Sequence, residues 1–455
     1  MSLAPGIDPL QRFMPQEGPD TSDPGPHWQV RFWTIYIGQA LSLLGSSLSG
    51  FVLLWWITES TGRISSLAAA GMSALLPQAL LSPLGGVMAD RFSRRQIIIT
   101  SDLLSALCMV VMIALFLTER IQPWHIWTLL AVRSALQAFQ IPAATASTCM
   151  LVPASFLMRA AGLNQAMQSL TVVAAAPLGA LAISIMPMGW ALGIDALTVL
   201  CGIGPLLYFP IPQMRSPGAE KTGIVKAFRE GMTVIHKIPG LRPLFFLLAA
   251  TVLVTLPAFS LLPMLVKQHF AGGAAQVALM EGLSGVGMVA GGLAISVLSP
   301  RRPITWVLIG FAGSCLGISL TALAPGPLFG VGVVWWVISG VCFVLGSAPL
   351  TAILQILVPN HLQGRALSIL NMIMSLAAPV GLLLMIPLGQ IWGVRGLFVG
   401  SGALGSVVCV AGFFFRRLMV LDRSAGAVQQ DGLSSDEGRA YGSGRKSSAS
   451  GMESR

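Results

Sequence analysis

Charge is scarce in this sequence. Aspartate, glutamate, lysine and arginine together make up 10% of the 455 residues, against roughly 25% in soluble domains, which excludes a water-facing globular protein. The six cysteines, Cys108, Cys149, Cys201, Cys315, Cys342 and Cys409, all fall within apolar stretches or at the edge of one and show no metal-ligand spacing. Neither a disulfide framework nor a zinc site is expected. Within the apolar stretches there is no His pair, no Glu-x-x-His run and no Gly-x-Ser-x-Gly elbow, so an enzyme is not expected. The first thirty residues lack the apolar core of a secretory signal. The net charge of +10 is scattered over short loops rather than gathered on one face, so no nucleic-acid partner is implied.

Apolar length is abundant. Hydrophobic residues make up 54% of the chain and recur in stretches at 33–57, 67–89, 97–117, 124–148, 162–186, 190–209, 243–266, 276–298, 304–323, 328–357, 366–388 and 394–415. Most of them approach or exceed the ~20 residues that cross roughly 30 Å of hydrocarbon. The expectation is an all-α membrane protein of twelve transmembrane helices. Lysines and arginines divide unevenly between its loops. After even-numbered stretches stand Arg91, Arg94, Arg95, Arg159, Arg215, Lys221, Lys226, Arg229, Lys237, Arg242, Arg301, Arg302 and Arg365; after odd-numbered ones stand Arg63, Arg120 and Lys267, with Arg395 at the mouth of the twelfth. The positive-inside rule then makes the even loops and both termini cytoplasmic.

The chain also repeats itself. Leu151-Val152-Pro153, Arg159-Ala160 and Ser169-Leu170 recur as Leu357-Val358-Pro359, Arg365-Ala366 and Ser375-Leu376, at an offset of 357 − 151 = 206 residues. The same offset carries Gly85-Gly86 onto Gly291-Gly292 and Arg95 onto Arg301. Duplication of a six-helix unit follows, with two bundles related by a pseudo-twofold axis. The expected organisation is a disordered cytoplasmic tail at 1–30, a bundle at 31–210, a basic cytoplasmic linker at 211–242, a second bundle at 243–416 and a disordered tail at 417–455.

Between the second and third stretches lies Gly85-Gly86-Val87-Met88-Ala89-Asp90-Arg91-Phe92-Ser93-Arg94-Arg95. This hinge resembles the loop signature between helices 2 and 3 of the major facilitator superfamily of secondary transporters. With Gln39-x-x-Ser42-x-x-Gly45-Ser46, Arg133-Ser134-x-x-Gln137-x-Phe139-x-x-Pro142-Ala143 and Arg159-Ala160-x-x-Leu163-Asn164-Gln165, the chain is most similar to the drug:proton antiporter branch that includes macrolide-efflux and siderophore exporters. The resemblance covers nearly all of 31–415. It implies export of a moderately hydrophobic natural product, a drug or a siderophore, by proton antiport across the bacterial inner membrane. It implies a monomer with no metal or organic cofactor, the proton gradient supplying the energy. Import or facilitated passage of a small nutrient is the alternative.

Several residues are candidates for that work. The resemblance assigns gating to Asp90 and Arg91, supported by Arg94 and Arg95. Arg133 falls about 14 Å along the fourth stretch, near the bilayer centre, where a charge needs a partner or a wet cavity; the family motif gives it a part in proton coupling. Gln137 and Gln140 share its face, and Gln39, Ser42 and Ser46 form a second polar stripe, so these five are expected to line the substrate cavity. Asp102, Asp195 and Glu281 are the carboxylates within the stretches. Glu281 is the first choice as proton carrier because helix 8 borders the bundle interface in the family's architecture. Asp102 is the second; it and Asp195 stand on helices 3 and 6, which the family's architecture places on the outer flank of the first bundle. Pro177 and Gly179 belong to a degenerate antiporter motif whose structural meaning is a kink and a close-packing point. Gly287-x-x-x-Gly291 is likewise expected to pack against a neighbouring helix.

Overall fold

The computed structural model describes residues 27–153, 156–209, 241–298, 302–357, 360–415 and 418–419. Apart from their edges, the expected tails and linker lie outside these residues. The helices are α1 (Trp28–Thr61), α2 (Ile64–Arg91), α3 (Arg94–Leu117), α4 (Pro123–Leu151), α5 (Leu157–Ile185), α6 (Met188–Tyr208), α7 (Leu241–His269), α8 (Ala274–Leu298), α9 (Pro303–Leu323), α10 (Phe329–Leu357) and α11 (Asn360–Gly412). Twelve separate helices were expected; the described residues form eleven. The difference lies in α11, whose 53 residues take in both of the last two apolar stretches, with a single non-helical residue, Gly393, at φ 65° and ψ 174°. A side chain would be strained in that left-handed conformation, which glycine adopts freely.

Among the described residues, ten helices are long and apolar enough to cross a membrane; the described part of α4, which carries Arg133, Gln137 and Gln140, is not among those ten. The termini of the helices follow from local chemistry. Pro123 and Pro303 stand at first-turn positions, where a missing N–H costs nothing. Ser93 caps α3 by accepting from the Gln96 N–H. Gly62 ends α1 in the left-handed conformation at φ 58°.

Side-chain distribution is inverted relative to a soluble protein. On α3, Leu103 and Leu107 are each 58% exposed, whereas Asp102 on the adjacent face is 5% exposed. Aliphatic side chains cover the outside and the polar ones turn inward, as hydrocarbon solvent requires.

Packing repeats with the sequence. In the first half of the chain α1 lies against α6, α2 against α4 and α3 against α4; in the second half α7 lies against α11, α8 against α10 and α9 against α10. Gly85 and its repeat partner Gly291 make equivalent approaches: a Cβ on the first would collide with the Ala138 carbonyl of α4, and one on the second would come within 2.7 Å of the Val341 carbonyl of α10. Between the halves, α2 meets α11 and α5 meets α8.

The apolar core is divided in a way that matters for function. One cluster joins both halves near the loops that follow odd-numbered helices, and includes Ile57, Leu67, Ala180, Leu265, Val277, Trp336, Leu382 and Phe398. Toward the even-numbered loops each half has a cluster of its own, around Phe32, Ile98 and Leu206 in the first and around Phe245, Ile304 and Ile353 in the second. The halves therefore share a core at the odd-loop end.

Candidate functional site

The interior of the first half holds a polar network drawn from four helices. At its centre the Arg133 guanidinium of α4 donates to Asp195 Oδ2 of α6 at 2.8 Å, with side chains 8% and 1% exposed. Ser46 of α1 completes the contact, donating to Asp195 Oδ1 at 2.9 Å while accepting from Arg133 at 3.2 Å. Such a pair survives in a desolvated interior because each charge answers the other and a hydroxyl satisfies what remains. Beside Arg133, the buried Ser134 accepts the backbone N–H of Gln78, tying α4 to α2 just after Pro77.

Further along the same helices, Asp102 of α3 is bound by two amides. Gln140 of α4 donates to Oδ1 at 2.6 Å and Gln39 of α1 donates to Oδ2 at 3.3 Å; the Gln39 NH₂ also reaches the Gly202 carbonyl of α6 at 3.2 Å. Five of the expected residues are thus brought together: Gln39, Ser46, Asp102, Arg133 and Gln140. Their polar atoms are engaged with one another inside the first half, on the face that α1 turns toward α3 and α6. Ser42 is buried on the same face, beside Gly202. Gln137 stands apart, half-buried and without a hydrogen bond to another described residue. The helices of Asp102 and Asp195, α3 and α6, turn both carboxylates inward, toward α1 and α4. Asp195 is the residue that sequence reasoning passed over. Its signal was a charge count, since one buried arginine in this half calls for a buried acid.

The remaining candidates are dispersed. Glu281 is half-buried on α8, next to Gly282, whose Cα hydrogen points at Pro177 of α5 across the boundary between the halves. Gly179 approaches Phe51 and the Leu48 carbonyl of α1, and Gly287 approaches Val337 of α10. Arg94 donates to the Ala89 carbonyl at 3.3 Å and to Met150 Sδ at 3.2 Å, while Arg95 donates to the Leu206 and Leu207 carbonyls at the end of α6. These bonds fasten the hinge to its own half. The side chains of Asp90 and Arg91 lie outside the described residues.

At the opposite end the halves are joined by hydrogen bonds. Lys267 Nζ, in the last turn of α7, donates to the Thr58 and Glu59 carbonyls at 3.1 and 2.8 Å, and Gln268 donates to the Gly62 carbonyl at 3.0 Å. The Thr58 carbonyl also accepts the Gly62 N–H that ends α1; all three acceptors stand at the C-terminal, negative pole of the α1 dipole.

The family model of the Major Facilitator Superfamily matches residues 35–381 and, in a second placement, 245–435. The chain belongs to this superfamily. Within it, the chain is 30% identical to macrolide efflux protein A of Streptococcus pyogenes over 388 residues, which is 85% of this chain and 95% of that protein. It is 26% identical to the multidrug efflux pump Tap of Mycolicibacterium fortuitum, over 83% of this chain and 94% of the pump. Among solved structures, the nucleoside transporter NupG superposes with a TM-score of 0.63 at 14% identity, covering 84% of this chain and 98% of that one. A bacterial homologue of the lysosomal transporter Spinster, in an inward-facing conformation, gives 0.60 at 16% identity, covering 89% and 95%. These likenesses establish the fold. The protein is a multi-pass membrane protein of a transporter superfamily.

Proposed function

We propose that the protein exports a moderately hydrophobic natural product, of the macrolide or siderophore kind, across the bacterial inner membrane by proton antiport. The observation that carries this reading is the near full-length similarity to macrolide efflux protein A. In this reading α11 makes two spans that meet at Gly393, the chain crosses twelve times as two bundles of six, and both termini and the even loops face the cytoplasm. It works as a monomer without a bound cofactor. The core shared at the odd-loop end is the closed periplasmic side of an alternating-access cycle. Asp90 and Arg91, supported by Arg94 and Arg95, close the cytoplasmic side in the other half of the cycle, and proton movement is coupled through Arg133 and a carboxylate, Asp102 inside the first half or Glu281 at the boundary between the halves. The test is intracellular accumulation of a radiolabelled macrolide and of a ferric siderophore in cells that lack or overproduce the protein. Overproduction should lower accumulation of at least one of them, and a protonophore should abolish the difference. Equal accumulation of both cargoes in the two strains would overturn the reading.

A further inference from the structure

We propose that Asp102 Oδ1, at its contact with the Gln140 amide, is the proton-binding site of the transport cycle, set inside the first half of the chain and away from the boundary between the halves. The inference rests on the antiport reading above and deepens it.

The geometry distinguishes the two buried carboxylates of this half. Asp195 is committed: Arg133 holds one oxygen and Ser46 the other, and both contacts require a carboxylate that accepts. Asp102 has no cation among its hydrogen-bond partners in the described residues. Its Oδ2 faces a donor whose orientation is fixed, because the Gln39 NH₂ also serves the Gly202 carbonyl and a rotated amide would set its oxygen against that carbonyl. Its Oδ1 faces Gln140 alone. A glutamine amide carries both a donor and an acceptor. As drawn, Gln140 donates to an ionised Oδ1; after a half-turn, its carbonyl accepts from a protonated Oδ1. Both protonation states therefore leave every polar atom of the contact satisfied, and this is a condition for a buried group that must gain and lose a proton in each cycle.

The charge balance points the same way. Among the described residues, the ionisable groups sharing this core on the elements packed against α3 are Arg133 on α4 and Asp195 on α6, already paired with each other. On α3 itself stands the half-buried Cys108. Two carboxylates and one guanidinium are neutral together when Asp102 holds a proton and carry one negative charge when it does not. Gln140 is half-buried, unlike Asp102. Binding at Oδ1 exchanges a charge-assisted bond between α3 and α4 for a neutral one. Gln39 is a positioning residue, holding Oδ2 so that only Oδ1 changes.

The experiment uses the full chain in proteoliposomes with a radiolabelled macrolide as probe. Two modes are measured: uphill accumulation driven by an imposed pH gradient, and cargo-for-cargo exchange at equal pH. In the wild type both should occur. In Asp102→Asn accumulation should fall at least about tenfold while exchange stays within about twofold, since exchange needs no proton and reports correct folding. Accumulation by Asp102→Asn at the wild-type level overturns the site and leaves antiport standing. Absence of pH-driven accumulation in the wild type overturns antiport and the site together. Should Asp102→Asn lose exchange as well, Gln140→Leu decides, because it keeps the carboxyl and removes its rotating partner. That variant should displace the pH profile of accumulation by about one unit or more; an unmoved profile overturns the proposal.

Discussion

Replacing Lys267 by methionine should open the odd-loop end of the transporter. The methionine keeps the apolar stem, which lies half-buried against the first half of the chain, and removes only the ammonium. That group donates to the Thr58 and Glu59 carbonyls at 3.1 and 2.8 Å. Hydrogen bonds to a charged group contribute ~1.5–3 kcal/mol each when well shielded, but the Glu59 contact is exposed, so about 1.5 kcal/mol for the two together is the sounder figure. A cation at a helix C-terminus adds ~0.3–1 kcal/mol. The total is about 2 kcal/mol, all of it belonging to the state in which α1 and α7 touch, and the conformational equilibrium should move roughly thirtyfold toward the opposite state. Ala68 of α2, fully buried in the core shared by the halves, reports that state. In an Ala68→Cys background a membrane-impermeant maleimide added from the odd-loop side should label at least about ten times faster once Lys267→Met is introduced. Lys267→Arg should restore slow labelling, because a guanidinium still donates to carbonyls. Equal labelling rates with and without Lys267→Met would refute the latch.

Three further outcomes are expected. Arg133→Ala or Asp195→Asn alone strands a buried charge and should lower stability by ~3–5 kcal/mol, whereas Arg133→Met combined with Asp195→Leu should recover most of it; thermal unfolding in detergent checks this, and a double variant no more stable than the singles would count against a self-contained pair. Asp90→Asn should leave insertion intact and slow transport while reducing the labelling of Ala68→Cys from the odd-loop side, and full transport with unchanged labelling would remove Asp90 from gating. Glu281→Gln should retain pH-driven accumulation if Asp102 is the proton site; loss of accumulation with exchange preserved would return the proton to the boundary between the halves.

The elements of the fold were legible because a span is written in consecutive residues. Each expected apolar stretch lies within a helix or overruns its end by no more than three residues, and Gly85 and Gly291, related by the 206-residue offset, are the glycines against which α4 and α10 close. The last two stretches run together because nothing polar separates them: Gln390-Ile391-Trp392-Gly393-Val394-Arg395 continues the helix on both sides of the single residue that leaves it. The site was legible by residue type but not by arrangement. Periodicity placed Gln39 and Ser46 on one stripe and Arg133 and Gln140 on another, yet a polar stripe on a transmembrane helix can face either a cavity or the interior of its own bundle. Here Asp102 and Asp195 on α3 and α6 draw those side chains inward. The contact of Lys267 with α1 could not be read at all, since its acceptors are backbone carbonyls, which every residue possesses.

The duplication makes the first-half network more informative than its bonds alone. Shifted by 206 residues, Gln39 becomes Phe245, Ser46 becomes Val252, Asp102 becomes Leu308, Arg133 becomes Ser339, Gln140 becomes Gly346 and Asp195 becomes Ser401. The pairings of helices are retained in the second half, but every charge of the network is gone. At the position of Arg133 a buried serine, Ser339, bonds to Ser314 at 3.1 Å instead, and Thr251 and Thr255 meet Cys409 and Cys315 at 3.2 Å each. These neutral contacts join the corresponding helices, so joining helices does not require ions. A structural role alone therefore leaves the ions of the first half unexplained, because the same fold holds its second half together without them. A buried group that changes charge requires polar surroundings that can answer both states, and among the described residues those surroundings stand around Asp102.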